Sequence, residues 1–155
     1  MESIKIPAIR GKIGNTVFYC TTLTFKQIST MVKTDNELQV TKSVKENLFT
    51  NSYIKTKEYI LNQENRFVNS LVLVVYDGNP MWKEVRVDIE NETYYNYGLL
   101  ELTGQEKILP IEDQHRVEGI KAALQVNQEL EREAVGVIIL GVQTNHSEKT
   151  NSANR

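Results

Sequence analysis

The chain has 155 residues, 40% of them hydrophobic and 25% charged, which is typical of a soluble globular protein with one hydrophobic core. Its 18 Lys and Arg residues against 20 Asp and Glu residues give a net charge of -2, which argues against a surface that coats nucleic acid and leaves room for a local basic patch only. The single cysteine, Cys20, excludes an intramolecular disulfide, and its apolar-aromatic surroundings predict a buried side chain. No group of acidic, histidine or cysteine residues has metal-ligand spacing, so we expect neither a metal nor a cofactor.

The amino-terminal region predicts a β-hairpin followed by a short helix. Residues 4–10 and 15–22 indicate two strands around a turn at 11–14, with Pro7 at an edge or at the beginning of a strand. Phe25, Ile28 and Met31 then recur at helical spacing. The polar segment 35–42 is expected to be a loop, and a second helical pattern is best over residues 53–62.

The middle of the chain predicts two strands and contains a tyrosine cluster. The apolar run Leu71–Tyr76 is typical of a buried strand, the turn residues 77–80 end it, and residues 82–89 indicate an exposed strand. Tyr94, Tyr95 and Tyr97 follow. Such a cluster can stack on nucleic-acid bases, but tyrosines on a strand more often cover the edge of a sheet, and we favour that interpretation.

Strands and helices alternate in the remainder of the chain. Residues 98–102 and 108–111 indicate strands around a turn at 103–107, and a charged link at 129–133 precedes a strand at 135–142. This alternation predicts an α+β fold with a mixed sheet. Residues 1–142 are expected to form one domain, and the polar residues 143–155, which include His146, are expected to be a disordered tail.

An amphipathic helix is expected after the strand that ends near residue 111. Val117, Ile120 and Leu124 lie three and four residues apart and therefore share one face of a helix. Glu112 or Asp113 would accept hydrogen bonds from the free amides at its start as the N-cap.

The first turn of this predicted helix carries cations where cations are disfavoured. His115 and Arg116 lie near the positive end of the helix dipole, which costs a few tenths of a kcal/mol or more. A bound anion, most naturally a phosphate, would reverse that cost because free amides and both side chains could hold it. The alternative is a solvated turn in which Arg116 pairs with Glu112 or Asp113.

The segment Glu112-Asp113-Gln114-His115-Arg116 resembles the motif that gives the DGQHR-domain family its name, a family that includes the DndB proteins of DNA sulfur modification. Similar segments occur in the same order along most of residues 4–142: Ile6–Gly11 with Gly14 and Phe18-Tyr19, Tyr59–Leu61 with Arg66–Val68, Leu71–Gly78, and Glu129, Leu130 and Glu133 with Val137–Leu140. The chain departs from the family at Glu112-Asp113, where the family has Asp-Gly. It also ends earlier than family members do, so we expect a truncated or degenerate member.

The resemblance implies a fold and a function. It implies a core similar to ParB and sulfiredoxin-like domains, and a non-enzymatic or weakly enzymatic DNA-binding accessory or regulator of a phosphorothioation system. The expected phosphate or DNA contacts are Gln114, His115 and Arg116, with Glu112 and Asp113 beside them and Arg10 contributed by the hairpin. Expected partners are DNA and other sulfur-modification proteins. Two alternatives stay open: a ParB-like switch that binds or hydrolyses a nucleotide, and a remnant without activity.

The sequence predicts a cytoplasmic location. The amino terminus lacks the apolar segment of a signal peptide. The longest apolar runs, Leu71–Tyr76 and residues 135–142, are too short to span a bilayer, so no membrane partner is expected.

Overall fold

The computed structural model describes residues 2–34, 53–63, 68–112, 114–142 and 145–146, the last pair by their backbone only. Its class is α+β with a mixed sheet, as the sequence predicts. The strands are β1 (Ile4–Ile13), β2 (Thr16–Thr24), β3 (Leu71–Tyr76), β4 (Met81–Ile89), β5 (Glu92–Leu102), β6 (Lys107–Pro110), β7 (Ala134–Leu140) and the two-residue β8 (Asn145–His146). The helices are α1 (Phe25–Met31), α2 (residues 53–62) and α3 (Gln114–Val126), followed by a 3-10 helix at Gln128–Arg132.

The chain divides into two compact units. Unit 1 comprises Met1–Thr21, Val74–Lys107 and Ile138–Arg155, and unit 2 comprises Thr22–Leu73 and Ile108–Val137. The strand order is β6-β3-β7-β2-β1-β5-β4-β8, and β2, β3, β6 and β7 contribute residues to both units.

Unit 1 is built on antiparallel pairing of β2, β1, β5 and β4. The predicted hairpin is confirmed with a shorter turn: Ile13 pairs with Thr16, which leaves Gly14 and Asn15 as the connection. Gly14 has a φ of 57°, a backbone conformation that glycine adopts without a steric penalty.

Pro7 does not lie on an edge strand, because β1 lies between β2 and β5. It pairs with Leu99 of β5, whereas the register with β2 begins only at Ile9. On its β2 side, the Pro7 carbonyl accepts a hydrogen bond of 2.7 Å from the Thr21 hydroxyl. A residue without an N–H therefore occupies a place where the ladder to β2 has not begun.

The buried face of unit 1 differs from the prediction for residues 82–89. Trp82 and Glu84 are fully buried, at 0% and 1% exposure, whereas Val85 and Ile89 are 44% and 52% exposed. A bulge between Val85 and Val87 interrupts the register with β5. The prediction of an exposed strand was wrong at Trp82 and Glu84, because hydropathy does not indicate that Glu84 is buried with a charged partner, Arg10.

Unit 2 contains the helices, and the predicted helical faces form its core. The buried side chains include Phe25 and Ile28 of α1, Ile60 of α2, and Val117 and Ile120 of α3. Helix α1 begins with a capping box, in which Thr24 accepts from the Gln27 amide at 3.1 Å and Gln27 accepts from the Thr24 amide at 2.9 Å.

Some predictions concern residues that the structure does not describe. The loop predicted at 35–42 lies outside the described residues, and so does most of the predicted tail at 143–155. Within that tail, Asn145 and His146 pair in parallel with Met81 and Trp82 of β4. The boundary predicted between domain and tail stays a prediction.

Candidate functional site

The start of α3 is held by backbone contacts on both sides of β6. The Ile111 amide donates to the Val72 carbonyl at 2.8 Å, and the Lys33 amide donates to the Ile108 carbonyl at 2.9 Å. A parallel bridge joins Val32 to Ile108, and the Lys121 ammonium donates to the Val32 carbonyl at 2.5 Å. The turn that precedes α3 therefore begins from a fixed backbone position.

Glu112 is the left-handed residue of that turn. Its φ is 70°, and its side chain is exposed. Asp113, which stands at the glycine position of the DGQHR motif and was expected as a candidate N-cap of α3, lies outside the described residues. Because a side chain in the left-handed region costs about 1–2 kcal/mol, the turn before α3 is strained at Glu112.

Gln114 lies on the buried face of α3. It is 9% exposed and lies one helical turn before Val117, which is fully buried. This burial limits how a ligand at the surface can reach the amide. A polar side chain at the edge of the core also fixes the first turn of the helix.

His115 and Arg116 are half-buried. The Arg116 guanidinium donates to the Asn69 carbonyl at 2.7 Å, just before β3, and this bond holds the side chain beside the first turn of α3. His115 makes no side-chain hydrogen bond or ion pair with any other described residue. The structure therefore places Gln114, His115 and Arg116 together in one turn, and gives Arg116 a structural contact that the sequence did not reveal.

Arg10, the remaining predicted site residue, belongs to unit 1 and has partners there. Its guanidinium lies 3.7 Å from the Glu84 carboxylate and 6.0 Å from the centre of the Trp82 ring. The Tyr19 ring lies against Trp82 at 5.1 Å between centroids. A buried carboxylate requires such a partner, so the first role of Arg10 is to stabilise the inner face of β4.

Glycines of the segments that resemble the DGQHR family are explained by packing. A Cβ at Gly119 of α3 would lie 2.5 Å from Thr56 Cβ and 3.0 Å from the Tyr53 carbonyl oxygen, both of α2. A Cβ at Gly11 of β1 would collide with the Phe18 ring, which covers this glycine from β2. Gly119 needs glycine because α2 packs directly on the backbone of α3, whereas at Gly11 a Cβ would displace the ring of Phe18.

The buried carboxylate of Glu106 in unit 1 was missed by the sequence analysis. Glu106 is 7% exposed and accepts four hydrogen bonds of 2.9–3.1 Å, from the Asn79, Thr103 and Gly104 amides and the Thr103 hydroxyl. Burial by itself raises the pKa of Glu106, but these hydrogen bonds outweigh it and hold the pKa below its ordinary value. The turn residues at 77–80 and 103–104 are the sequence signal, but nothing in them indicates that one carboxylate joins both turns.

An open cavity of about 570 Å³ lies in unit 1 beside Lys5, Asn79, Glu101 and Thr103.

Among the described residues there is no group of three or more acidic, histidine or cysteine residues that could hold a metal ion. Within that same part of the chain, no helix is both long and apolar enough to cross a membrane. Cys20 is half-buried rather than fully buried.

Comparison with known proteins supports the resemblance inferred from the motif. A family model described as DndB, DNA-sulfur modification-associated, matches residues 6–151. Neither the curated proteins nor the solved structures provide a match, so the expected ParB-like core stays a prediction. The family match includes β8 and the residues that follow it, and thus extends past residue 142. Because it covers nearly the whole chain, this protein belongs to the DndB family of DNA-sulfur modification-associated proteins.

Proposed function

We propose that this protein is a DNA-associated accessory or regulatory component of a DNA sulfur-modification system and that the first turn of α3 holds a phosphate of the DNA backbone. The observation that carries the proposal is the family match over residues 6–151. The phosphate contact is supported by His115 and Arg116, which lie half-buried at a helix start.

The chemistry of this turn suits an anion. The first turn of α3 contains no acidic residue, so the amides at the helix start are not neutralised by a side chain within it. A phosphate there would interact with the positive end of the helix dipole. Arg116 would add a charge-assisted contact and His115 a further hydrogen bond, since the Asn69 carbonyl already orients the guanidinium. Gln114 would help to position the turn from its buried side.

Duplex binding measured by fluorescence anisotropy at two salt concentrations tests the proposal. One basic turn on a protein of net charge -2 makes few phosphate contacts, so we expect micromolar or weaker binding with a shallow salt dependence. His115→Ala should weaken binding several-fold. Arg116→Ala should also lower the salt slope by about 0.9, the value for one lost phosphate contact. Gln125→Ala, an exposed change near the other end of α3, is the matched control and should alter neither quantity.

Comparison of ordinary and phosphorothioate duplexes of one sequence shows whether the protein distinguishes sulfur from oxygen in the backbone. Binding to either duplex that is insensitive to His115→Ala and Arg116→Ala would contradict the assignment of the phosphate contact to α3. Magnesium-dependent binding of a nucleoside triphosphate without DNA binding would instead favour the nucleotide switch.

A further inference from the structure

One face of the antiparallel part of unit 1 is apolar and partly exposed. We call it the outer face and define it by Ile9, Cys20, Val85, Val87, Tyr94 and Tyr97. Ile9 lies opposite Cys20 on β2 and opposite Tyr97 on β5, and Tyr97 lies opposite Val85 on β4. Paired residues of an antiparallel sheet share a face, so this row crosses four strands. Ile9 and Val85 are each 44% exposed.

The bulge in the β4–β5 pair extends this face. Val85 pairs with Tyr97 and Val87 pairs with Tyr94, so the two tyrosines lie on the same side despite their separation of three residues. Their rings meet edge to face with centroids 6.2 Å apart. The solvated face of an antiparallel sheet is normally polar. An apolar and aromatic face with these exposures is instead typical of an interaction surface.

Charges lie at the two ends of the outer face. At one end, the Lys5 and Lys83 ammonium groups lie 3.5 Å and 3.2 Å from the Glu101 carboxylate, so this end has a net positive charge of one. At the other end, Glu92 lies opposite Ile89 and accepts a hydrogen bond of 2.8 Å from the Tyr94 hydroxyl. The apolar centre therefore separates a positive end from a negative end.

We propose that the outer face binds a second copy of this chain, related by a two-fold axis that lies between the two sheets and runs across the strands. This axis reverses the strand direction, so it places Lys83 of each protomer near Glu92 of the other. The two symmetry-related contacts between Lys83 of one protomer and Glu92 of the other then pair opposite charges, as an isologous interface requires. A nucleic acid fits less well, because the two lysines and two glutamates of this face cancel and provide no net positive charge for phosphates.

The dimensions of the outer face suit a dimer. Four strands span about 19 Å, and the ten residues from Glu101 to Glu92 of β5 span about 31 Å at the usual strand spacing and rise. Because protruding side chains add surface to this flat area, the area that the face can bury approaches the roughly 800 Å² per partner of a standard interface. Two sheets packed through it would lie about 10 Å apart and be rotated by about 30°.

Sedimentation velocity of the full chain over a concentration series tests the proposal. We expect the wild-type mass to approach twice the 17.8 kDa of one chain. Val85→Glu should produce monomers, since it places a charge in the apolar centre. Lys83→Glu and Glu92→Lys should each weaken self-association at least about tenfold, because each creates two like-charge contacts per dimer. Lys26→Glu, an exposed reversal on α1, is the control and should leave the mass unchanged.

A mixture of the two charge variants gives the most specific result. In a heterodimer of Lys83→Glu with Glu92→Lys, both contacts again pair opposite charges, so mixing should restore the association that each variant alone has lost at least about tenfold. A protein damaged in its fold could not be rescued in this way. A monomeric wild-type protein, a dimer that persists with Val85→Glu, or a mixture that stays monomeric would overturn the proposal. Single-stranded DNA binding by a monomer that Val85→Glu abolishes would assign the face to nucleic acid instead.

Discussion

The Glu106 carboxylate provides the sharpest test of how unit 1 is held together. Oε2 accepts from the Asn79 amide at 3.0 Å, the Thr103 amide at 3.1 Å and the Thr103 hydroxyl at 2.9 Å, and Oε1 accepts from the Gly104 amide at 3.0 Å. The side chain thus joins the turn after β3 to the turn after β5. Gly78 makes room for it, since a Cβ there would lie 2.6 Å from the carboxylate. We predict that Glu106→Ala loosens both turns at once.

The loss of stability expected for Glu106→Ala follows from the hydrogen-bond donors that are left without an acceptor. Glu106→Ala leaves three backbone amides and one hydroxyl without their acceptor, and a hydrogen bond to a charged group contributes about 1.5–3 kcal/mol. Asn79 and Thr103 are exposed, so water replaces part of this loss. We therefore expect the free energy of unfolding to fall by about 3 kcal/mol. Glu106→Gln keeps the shape but loses the charge and one acceptor, and should cost about 1–2 kcal/mol.

The contribution of Glu106 to the free energy of unfolding should decrease as the pH falls. Burial alone raises the pKa of Glu106, but the hydrogen bonds from Thr103 and Asn79 bring it below the ordinary value of 4.5. A carboxyl whose pKa is lower in the folded state favours unfolding when it is protonated. Its contribution is fully present above about pH 4.5 and is lost as the pH falls through the folded-state pKa. The difference in stability between wild type and Glu106→Gln should therefore shrink between pH 7 and pH 3.

Urea denaturation of wild type, Glu106→Ala and Glu106→Gln at several pH values measures these differences. Glu129→Gln is the control, because Glu129 is an exposed carboxylate of the 3-10 helix. A loss below about 1 kcal/mol for Glu106→Ala, which is within the range of ordinary surface substitutions, would refute the idea that the carboxylate holds the two turns. So would a difference between wild type and Glu106→Gln that stays constant from pH 7 to pH 3.

Four further substitutions test the backbone geometry, each by chemical denaturation. Glu112→Gly should stabilise the protein by up to about 1 kcal/mol, because glycine adopts a φ of 70° without the strain that a side chain causes there. A loss of stability would show that the glutamate side chain contributes more than this strain costs. Gly119→Ala should destabilise by about 2 kcal/mol or more, since its Cβ meets Thr56 and the Tyr53 carbonyl; an unchanged midpoint would mean that α2 does not pack as described. Gly98→Ala should destabilise the protein to a similar extent, because its Cβ collides with the Lys83 carbonyl oxygen. Gly14→Asn should change stability by less than about 1 kcal/mol, since a φ of 57° suits asparagine and a Cβ there meets no other part of the structure within 4 Å. Equal losses of stability at Gly98 and Gly14 would contradict this contrast.

Apolar periodicity predicted the elements that have one buried face. Phe25, Ile28 and Met31 identified α1, and Val117 and Ile120 identified α3, because burial of these side chains is what forms each helix. The run Leu71–Tyr76 likewise coincides with β3. In these segments, local pattern and tertiary packing favour the same structure.

The pattern failed where polar side chains are buried or where pairing is irregular. Glu84 lies on the inner face of β4 because Arg10 compensates its charge, and hydropathy assigns both residues to the surface. Strand β5 begins at Glu92, several residues before the predicted 98, because its tyrosines pair with β4 through a bulge. Both features depend on cross-strand partners that only the folded chain brings together. Likewise, the Arg116–Asn69 bond spans 47 residues and has no local signal.

The structure changes what the DGQHR motif means in this chain. Gly119 is explained by α2, Gln114 by its place on the core face, and Arg116 in part by its bond to the Asn69 carbonyl. Packing therefore accounts for much of the motif without a ligand. His115 is the exception, since its half-buried side chain makes no hydrogen bond or ion pair with the other described residues. Replacing His115 should therefore affect a function of this turn more than it affects the stability of the fold. Replacing Arg116 should affect both the function and the stability.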